Sequence, residues 1–217
     1  TNIGVTDSTR DINLETFGDA KVVNGFSPYS GNYYSVLFNG STDYLTIPDN
    51  TALQMGAGDF TIECWFYANT TSVEMELLGK GTLTTGLALG ISSGNKTLFL
   101  YTQSSLTGTA TISPNTWYHI AVVRIGSGTN NLKVYLNGAQ DSQGTVTDTF
   151  NQTNTMNIGL SKDNSHYMNG YINNLRIIKG TGIYTTTFTP STTPLTTTSQ
   201  GATASQVSLL TCQSNKF

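Results

Sequence analysis

Apolar and polar residues alternate at period two through most of the chain. In Phe60-Thr61-Ile62-Glu63-Cys64-Trp65-Phe66, an extended backbone puts Phe60, Ile62, Cys64 and Phe66 on one side and Thr61, Glu63 and Trp65 on the other. Comparable runs cover 19–23, 33–38, 43–47, 60–67, 73–78, 86–92, 96–102, 116–125, 131–136, 155–160 and 167–178, each bounded by Gly, Asn, Asp or Ser. The spacing predicts a strand at each, in the rhythm of an antiparallel sandwich or barrel. No stretch carries a sustained 3.6-residue apolar period, so no long helix is expected. Asn39-Gly40, Ser93-Gly94-Asn95, Gly126-Ser127-Gly128 and Asn137-Gly138 supply residues that tolerate left-handed backbone between the strands. Of these, Asn137-Gly138 predicts a tight hairpin whose return strand lies within 140–146.

Past the last long run the pattern changes. Residues 185–199 are Thr-rich and carry Pro190 and Pro194, which disfavour helix interiors and central strands alike. An extended strap over 181–204 is expected on the surface, followed by a C-terminal edge segment at 205–217 carrying Val207, Leu209 and Leu210. With no internal repeat, the chain reads as a single domain, 1–217, with its core in about 20–180.

Composition sharpens this picture. Charged residues are only 11% of the chain, against about 25% in ordinary soluble domains. Ser, Thr, Asn and Gly must therefore form most of the polar surface, which suits strands and turns. A net charge of −3 gives no basic field for a phosphate backbone, so nucleic acid is not an expected partner. No apolar run approaches the roughly 20 residues that span a bilayer, so no membrane insertion is expected. The N-terminus shows no basic or apolar signal-peptide region, pointing to a mature fragment or to another route of release. Cys64 and Cys212 fit no metal spacing and are expected as buried free thiols.

The run Trp117-Tyr118-His119-Ile120-Ala121-Val122-Val123-Arg124, a glycine-rich turn and Leu132-Lys133-Val134-Tyr135-Leu136-Asn137-Gly138 together resemble the laminin-G-like, concanavalin-A-like jelly-roll family. Phe38 to Leu45, Gly58 to Trp65 and Asn169 to Ile177 agree with it, although Cys64 stands where the family usually has a small residue such as Ala. The resemblance implies an all-β, two-sheet antiparallel jelly-roll sandwich, with sugar or protein ligands met on its concave face or rim loops. A narrower likeness lies in Phe26-Ser27-Pro28-Tyr29, Arg176 to Tyr184, Phe188-Thr189-Pro190 and Leu209 to Asn215. These segments are similar to the version in tail-fibre and other virion proteins of marine phages, notably cyanophages, where release by lysis needs no signal peptide.

The same sandwich hosts retaining glucanases, whose strand motif is Glu-x-Asp-x-Glu or Glu-x-Asp-x-x-Glu. The nearest match, Glu74-Met75-Glu76-Leu77-Leu78-Gly79, lacks the last carboxylate, so the catalytic pair is incomplete. Glu74 and Glu76 are therefore expected as solvated strand residues, and His119 as a packed structural histidine. Neither His119 nor His166 has a nucleophile-elbow neighbour, and too few ligands stand together for zinc. No enzyme is expected.

For carbohydrate binding, the loop Ser161-Lys162-Asp163-Asn164-Ser165-His166-Tyr167 concentrates polar and aromatic groups in one turn. Asp163, Asn164, His166 and Tyr167 are its candidate contacts, joined by Phe99 and Tyr101 as an outward aromatic pair. These groups could equally cover a sheet or meet a neighbouring subunit. No cofactor is required; calcium is the candidate ion, with Asp43, Asp49, Asp59, Asp163 and Asn164 as oxygen donors or ordinary turn residues. The expected function is that of a non-catalytic phage virion module, a tail-fibre or surface adhesin domain that binds host surface glycan. The alternative is a capsid or tail decoration protein serving assembly and stability without a sugar site. Either would lie on the virion surface, oligomeric within the particle and in contact with other virion proteins.

Overall fold

The computed structural model describes residues 12–101 and 104–214. Thr102 at the end of one expected strand, and 215–217 of the expected edge segment with Asn215, lie outside them. Two antiparallel sheets face each other. One has the order β1 (Glu15–Phe17), β4 (Tyr44–Ile47), β13 (Met156–Ile158), β6 (Met75–Thr82), β7 (Thr85–Ile91), β8 (Thr97–Tyr101) and β9 (Ser104–Thr107). The other runs β12 (Ala139–Gly144), β11 (Leu132–Leu136), β10 (Trp117–Arg124), β5 (Phe60–Ala68), β14 (Asn169–Lys179), β3 (Tyr34–Asn39) and β2 (Lys21–Asn24), with β15 (Val207–Thr211) also paired to β14. This is the expected two-sheet jelly-roll sandwich.

The alternation that announces β5 also places the core. Phe60, Ile62, Cys64 and Phe66 are sealed between the sheets, and the β10 partners Ile120 and Val122 fall beside Cys64 and Ile62. Burying each large apolar side chain contributes about 1.5–3 kcal/mol. Both cysteines are buried and free. At Asn137-Gly138 both backbones take positive φ, 50° and 81°, giving the mirror-image turn whose twist matches that of a hairpin. The Gly138 carbonyl also accepts from the Phe188 amide at 3.0 Å. A Cβ on Gly138 would fall 1.9 Å from the Phe188 carbonyl oxygen. Gly138→Ala is therefore expected to cost at least about 2 kcal/mol, combining left-handed strain with displacement of the 188 segment. Urea denaturation checks this, and a loss below about 1 kcal/mol would contradict it.

Residues 181–204 form no strand and lie over the outer face of the larger sheet. Tyr184 packs with Ala121, Val123 and Tyr135, and Leu195 and Ala202 pack with Ile178, Val207 and Leu210. Beneath this strap the outward residue Glu63, 0% exposed, accepts from Arg176 Nε at 2.8 Å and Nη2 at 2.5 Å, and from the Tyr184 hydroxyl at 2.8 Å. His119 Nε2 lies 3.1 Å from its second oxygen, so this histidine is packed and hydrogen-bonded. Burial pushes the Glu63 carboxyl up, but the His119 hydrogen bond and the Arg176 charge outweigh it and hold the group below its ordinary value. Arg176 Nη1 also donates to the Thr196 and Ser199 carbonyls, tying the strap to the sheet through one guanidinium. β14 itself breaks at Asn173 and Asn174: its first half pairs with β3 and its second with β15, so the C-terminal segment completes the sheet in mid-edge.

Candidate functional site

A cleft forms on the outer face of the smaller sheet, beside the loop 161–167. Along β7, Leu87, Leu89 and Ile91 point into the core, which turns Ala88 and Gly90 outward. On β8, Leu89 pairs with Phe99 and Ala88 with Leu100, so Phe99 faces the core and Leu100 the outside. Phe99 is 0% exposed, and Tyr101 packs against the same core. The expected outward pair is therefore corrected: Leu98 and Leu100 occupy the outer face, and neither aromatic can meet a ligand there.

On β6 the register shifts between Glu76 and Leu78. The extra residue sends Leu77 and Leu78 both into the core and leaves Glu76 outward, opposite Gly90. The loop 161–167 then closes over this spot, since a Cβ on Gly79 would stand 2.5 Å from the Lys162 amide nitrogen. Glu76 is consequently 2% exposed, not the solvated residue expected, while Glu74, just before β6, is half-buried. Burial, then the charges of Asp163 and Glu74, push the Glu76 carboxyl up to about 8.

The loop is built around Ser161. Its hydroxyl donates to Asp163 Oδ1 at 2.5 Å and accepts from the amides of Ser165 and His166. Asp163 also accepts from the Ser165 hydroxyl at 2.6 Å. Burial opposes ionisation of Asp163, but the Ser161 and Ser165 hydrogen bonds prevail and keep its carboxyl below the ordinary value. Asn164 takes a left-handed φ of 62°, and its side-chain oxygen accepts from Asn157. The result is a preorganised rim.

Together these elements enclose a cleft of about 350 Å³ lined by Glu74, Glu76, Leu83, Leu100, Ser104, Ser105, Lys162, Asp163 and His166. A second hollow of about 490 Å³ shares Glu74 and His166 and is lined further by Gly40, Ser72, Val73, Ser93, Ser165 and Tyr167. Of the expected contacts, Asp163 and His166 line the cleft and Tyr167 the adjoining hollow; Asn164, exposed and bonded to Asn157 of β13, lines neither. Glu74, Glu76, Lys162, Leu100 and Ser105 belong to the site without having been expected there. The other calcium candidates lie elsewhere: Asp43 accepts from the Asp19 amide, Asp49 pairs with Lys80 at 2.9 Å, and Asp59 accepts from the Gly126 amide. Each serves its own turn or ion pair.

Residues 39–181 match the family described as the concanavalin A-like lectin/glucanases superfamily. The chain belongs to that superfamily. None of the curated proteins matches this superfamily member in sequence. Solved structures share its fold. The botulinum neurotoxin serotype C1 binding domain superimposes with a TM-score of 0.57 at 17% identity, over 77% of this chain and 44% of that one. The receptor binding domain of the botulinum neurotoxin C/D mosaic serotype gives 0.58 at 16%, over 79% and 44%. A structure of botulinum neurotoxin type C, a toxin whose cell entry is described as dependent upon interaction with two ganglioside molecules, gives 0.56 at 16%, over 77% and 43%. The chain thus spans less than half the length of these relatives.

Proposed function

We propose that this superfamily member is a non-catalytic carbohydrate-binding module whose ligand lies in the cleft on the outer face of the smaller sheet. One observation carries the reading: the cleft sets apolar Leu83 and Leu100 beside Ser104, Ser105, Lys162, Asp163 and His166. Sugars present both apolar C–H faces and hydroxyls, and a concave surface of mixed chemistry with a few fixed polar groups suits them. The shared fold with a toxin described as interacting with gangliosides supports a glycan as the class of ligand. Against hydrolysis, the position that would complete a glucanase motif is filled by Leu78 in the core or by Gly79 beneath the loop.

The likeness of 26–29, 176–184, 188–190 and 209–215 to phage virion proteins supports a place on a virion surface. Phe26 and Tyr29 lie on the outer face of the larger sheet against Tyr67 and Trp65, the face that also receives Tyr184, Phe188 and Arg176. On this reading the strap face is structural and the cleft face meets host glycan. A second role, in assembly with other virion proteins, is favoured by the half-buried aromatics Phe26, Tyr67, Trp117 and Tyr171, which lie together on that same face.

A host-derived glycan array tests the reading. Ser105 is exposed on β9, so Ser105→Trp fills the cleft without entering the core. Binding by the wild type that falls at least about tenfold in Ser105→Trp and in His166→Ala is expected, about 1.4 kcal/mol or more. A silent array, or binding that Ser105→Trp leaves intact, overturns it, and particle instability on loss of the chain would then favour assembly.

A further inference from the structure

We propose that Glu74, Glu76 and His166 form a binding site for a divalent first-row transition ion of the zinc type, set into the wall of the cleft. The fold brings one ligand atom from each of these residues within 4.8 Å of one another, although they come from just before β6, its second residue and a loop far along the chain. Ligands about 2.0–2.2 Å from a central ion lie about 3–4.3 Å apart, so closure of the set needs only small side-chain adjustments.

A second observation points to a ligand. Glu76 is 2% exposed, and its Oε2 is sealed from solvent with no hydrogen-bond partner among the described residues. A buried acceptor left in this state is unfavourable, the more so when it carries charge. Lys162 offers the Glu76 carboxyl a contact from its backbone amide that leaves Oε2 unsatisfied, and its Nζ is turned to the Thr85 carbonyl at 3.4 Å. The imidazole is already oriented toward the same place: His166 Nδ1 stands 3.8 Å from Glu74 Oε1 and 4.0 Å from Asp163 Oδ1, with the Ser165 hydroxyl at 2.9 Å. Asp163 acts on the imidazole through Ser165, whose hydroxyl donates to Asp163 Oδ1 at 2.6 Å while standing against Nδ1.

The donor chemistry selects the ion. One imidazole nitrogen with two carboxylate oxygens suits zinc and its neighbours, whereas calcium takes six to eight oxygen ligands and is poorly served by a histidine. Three protein ligands leave the fourth position to water or to an oxygen of whatever occupies the cleft. The ion would supply the positive charge that Glu74, Glu76 and Asp163 share too little of. This inference stands apart from carbohydrate binding, since the metal is measured without any sugar.

The experiment is calorimetric titration of Zn2+ into the full chain stripped with a chelator, repeated with Ca2+, and followed by the absorption spectrum of the Co2+-loaded protein. One ion per chain is expected, with tetrahedral-type Co2+ bands. Because loss of outer-shell partners alone weakens metal sites about 10–100-fold, removing a ligand in His166→Ala or Glu76→Gln is expected to weaken Zn2+ by about a hundredfold or more and to abolish the Co2+ bands. His166 is only partly buried, so circular dichroism is expected to show a folded His166→Ala variant. The proposal is overturned if the wild type takes up no Zn2+, if both variants bind it undiminished, or if Ca2+ binds as tightly as Zn2+.

Discussion

In metal-free buffer, raising the pH from about 5 to about 9 is expected to cost the wild-type protein roughly 4 kcal/mol of stability, and Glu76→Gln is expected to escape that loss. The folded protein holds the Glu76 carboxyl at about 8, against an ordinary value of 4.5. That gap corresponds to about 5 kcal/mol between the two protonation states. The sign follows from the direction of the gap. The folded state prefers the neutral carboxyl, so the contribution is complete below the unfolded value and drains away as the pH climbs through the folded one. Gln keeps the shape and has no proton to lose. Urea denaturation across this range measures the effect; a wild-type profile that stays level, or a Glu76→Gln profile that falls in parallel, would rule out this account. For a domain whose total stability is about 5–15 kcal/mol, the loss is large enough to unfold a marginal variant.

Glu63→Gln is expected to cost about 3–5 kcal/mol near neutral pH, because it leaves the guanidinium of Arg176, 0% exposed, without its counter-charge. The double variant Glu63→Gln with Arg176→Met is expected to recover a substantial part of this, since both charges then leave the interior together. In the single variant the strap loosens first, because Arg176 anchors the Thr196 and Ser199 carbonyls. Trypsin offers little in this lysine-poor stretch, so proteinase K mapping of 185–200 is the suitable readout. A cost below about 1 kcal/mol, or a double variant less stable than the single one, would refute the role given to this pair. Glu63 also opposes Glu76 in its response to pH. Its depressed carboxyl contributes stability above the ordinary carboxylate range and loses it as the pH falls through the folded value.

The sandwich was legible because its strands advertise themselves. Phe60 to Phe66 alternates cleanly, and Asn137-Gly138 specifies its own turn. Phe99 and Tyr101 were misplaced because Leu98 and Leu100 are apolar too, so no polar neighbour sets the phase; the pairing of Phe99 with Leu89 does. Short β1 and β9 carry too few residues to show a pattern. In the site, Asp163 and His166 could be read from a loop dense in polar groups, but the burial of Glu76 could not. It depends on an extra residue at Leu77 and on a loop whose Lys162 lies on Gly79, both products of tertiary packing. Zinc was set aside for want of clustered ligands, since Glu74 and Glu76 meet His166 only in the folded chain.

The carboxylate of Glu63 also imposes an order of events on synthesis. Its partners Arg176 and Tyr184 lie 113 and 121 residues further along the chain. While the ribosome is still extending the chain, β5 can pair with β10 and deliver His119, but the charge on Glu63 has no guanidinium to receive it. A nascent chain ending before β14 must keep that side chain hydrated, which holds the outer face of the larger sheet open. Contacts this distant make folding slow, and here they reserve the sealing of that face for the moment when the strap has left the exit tunnel.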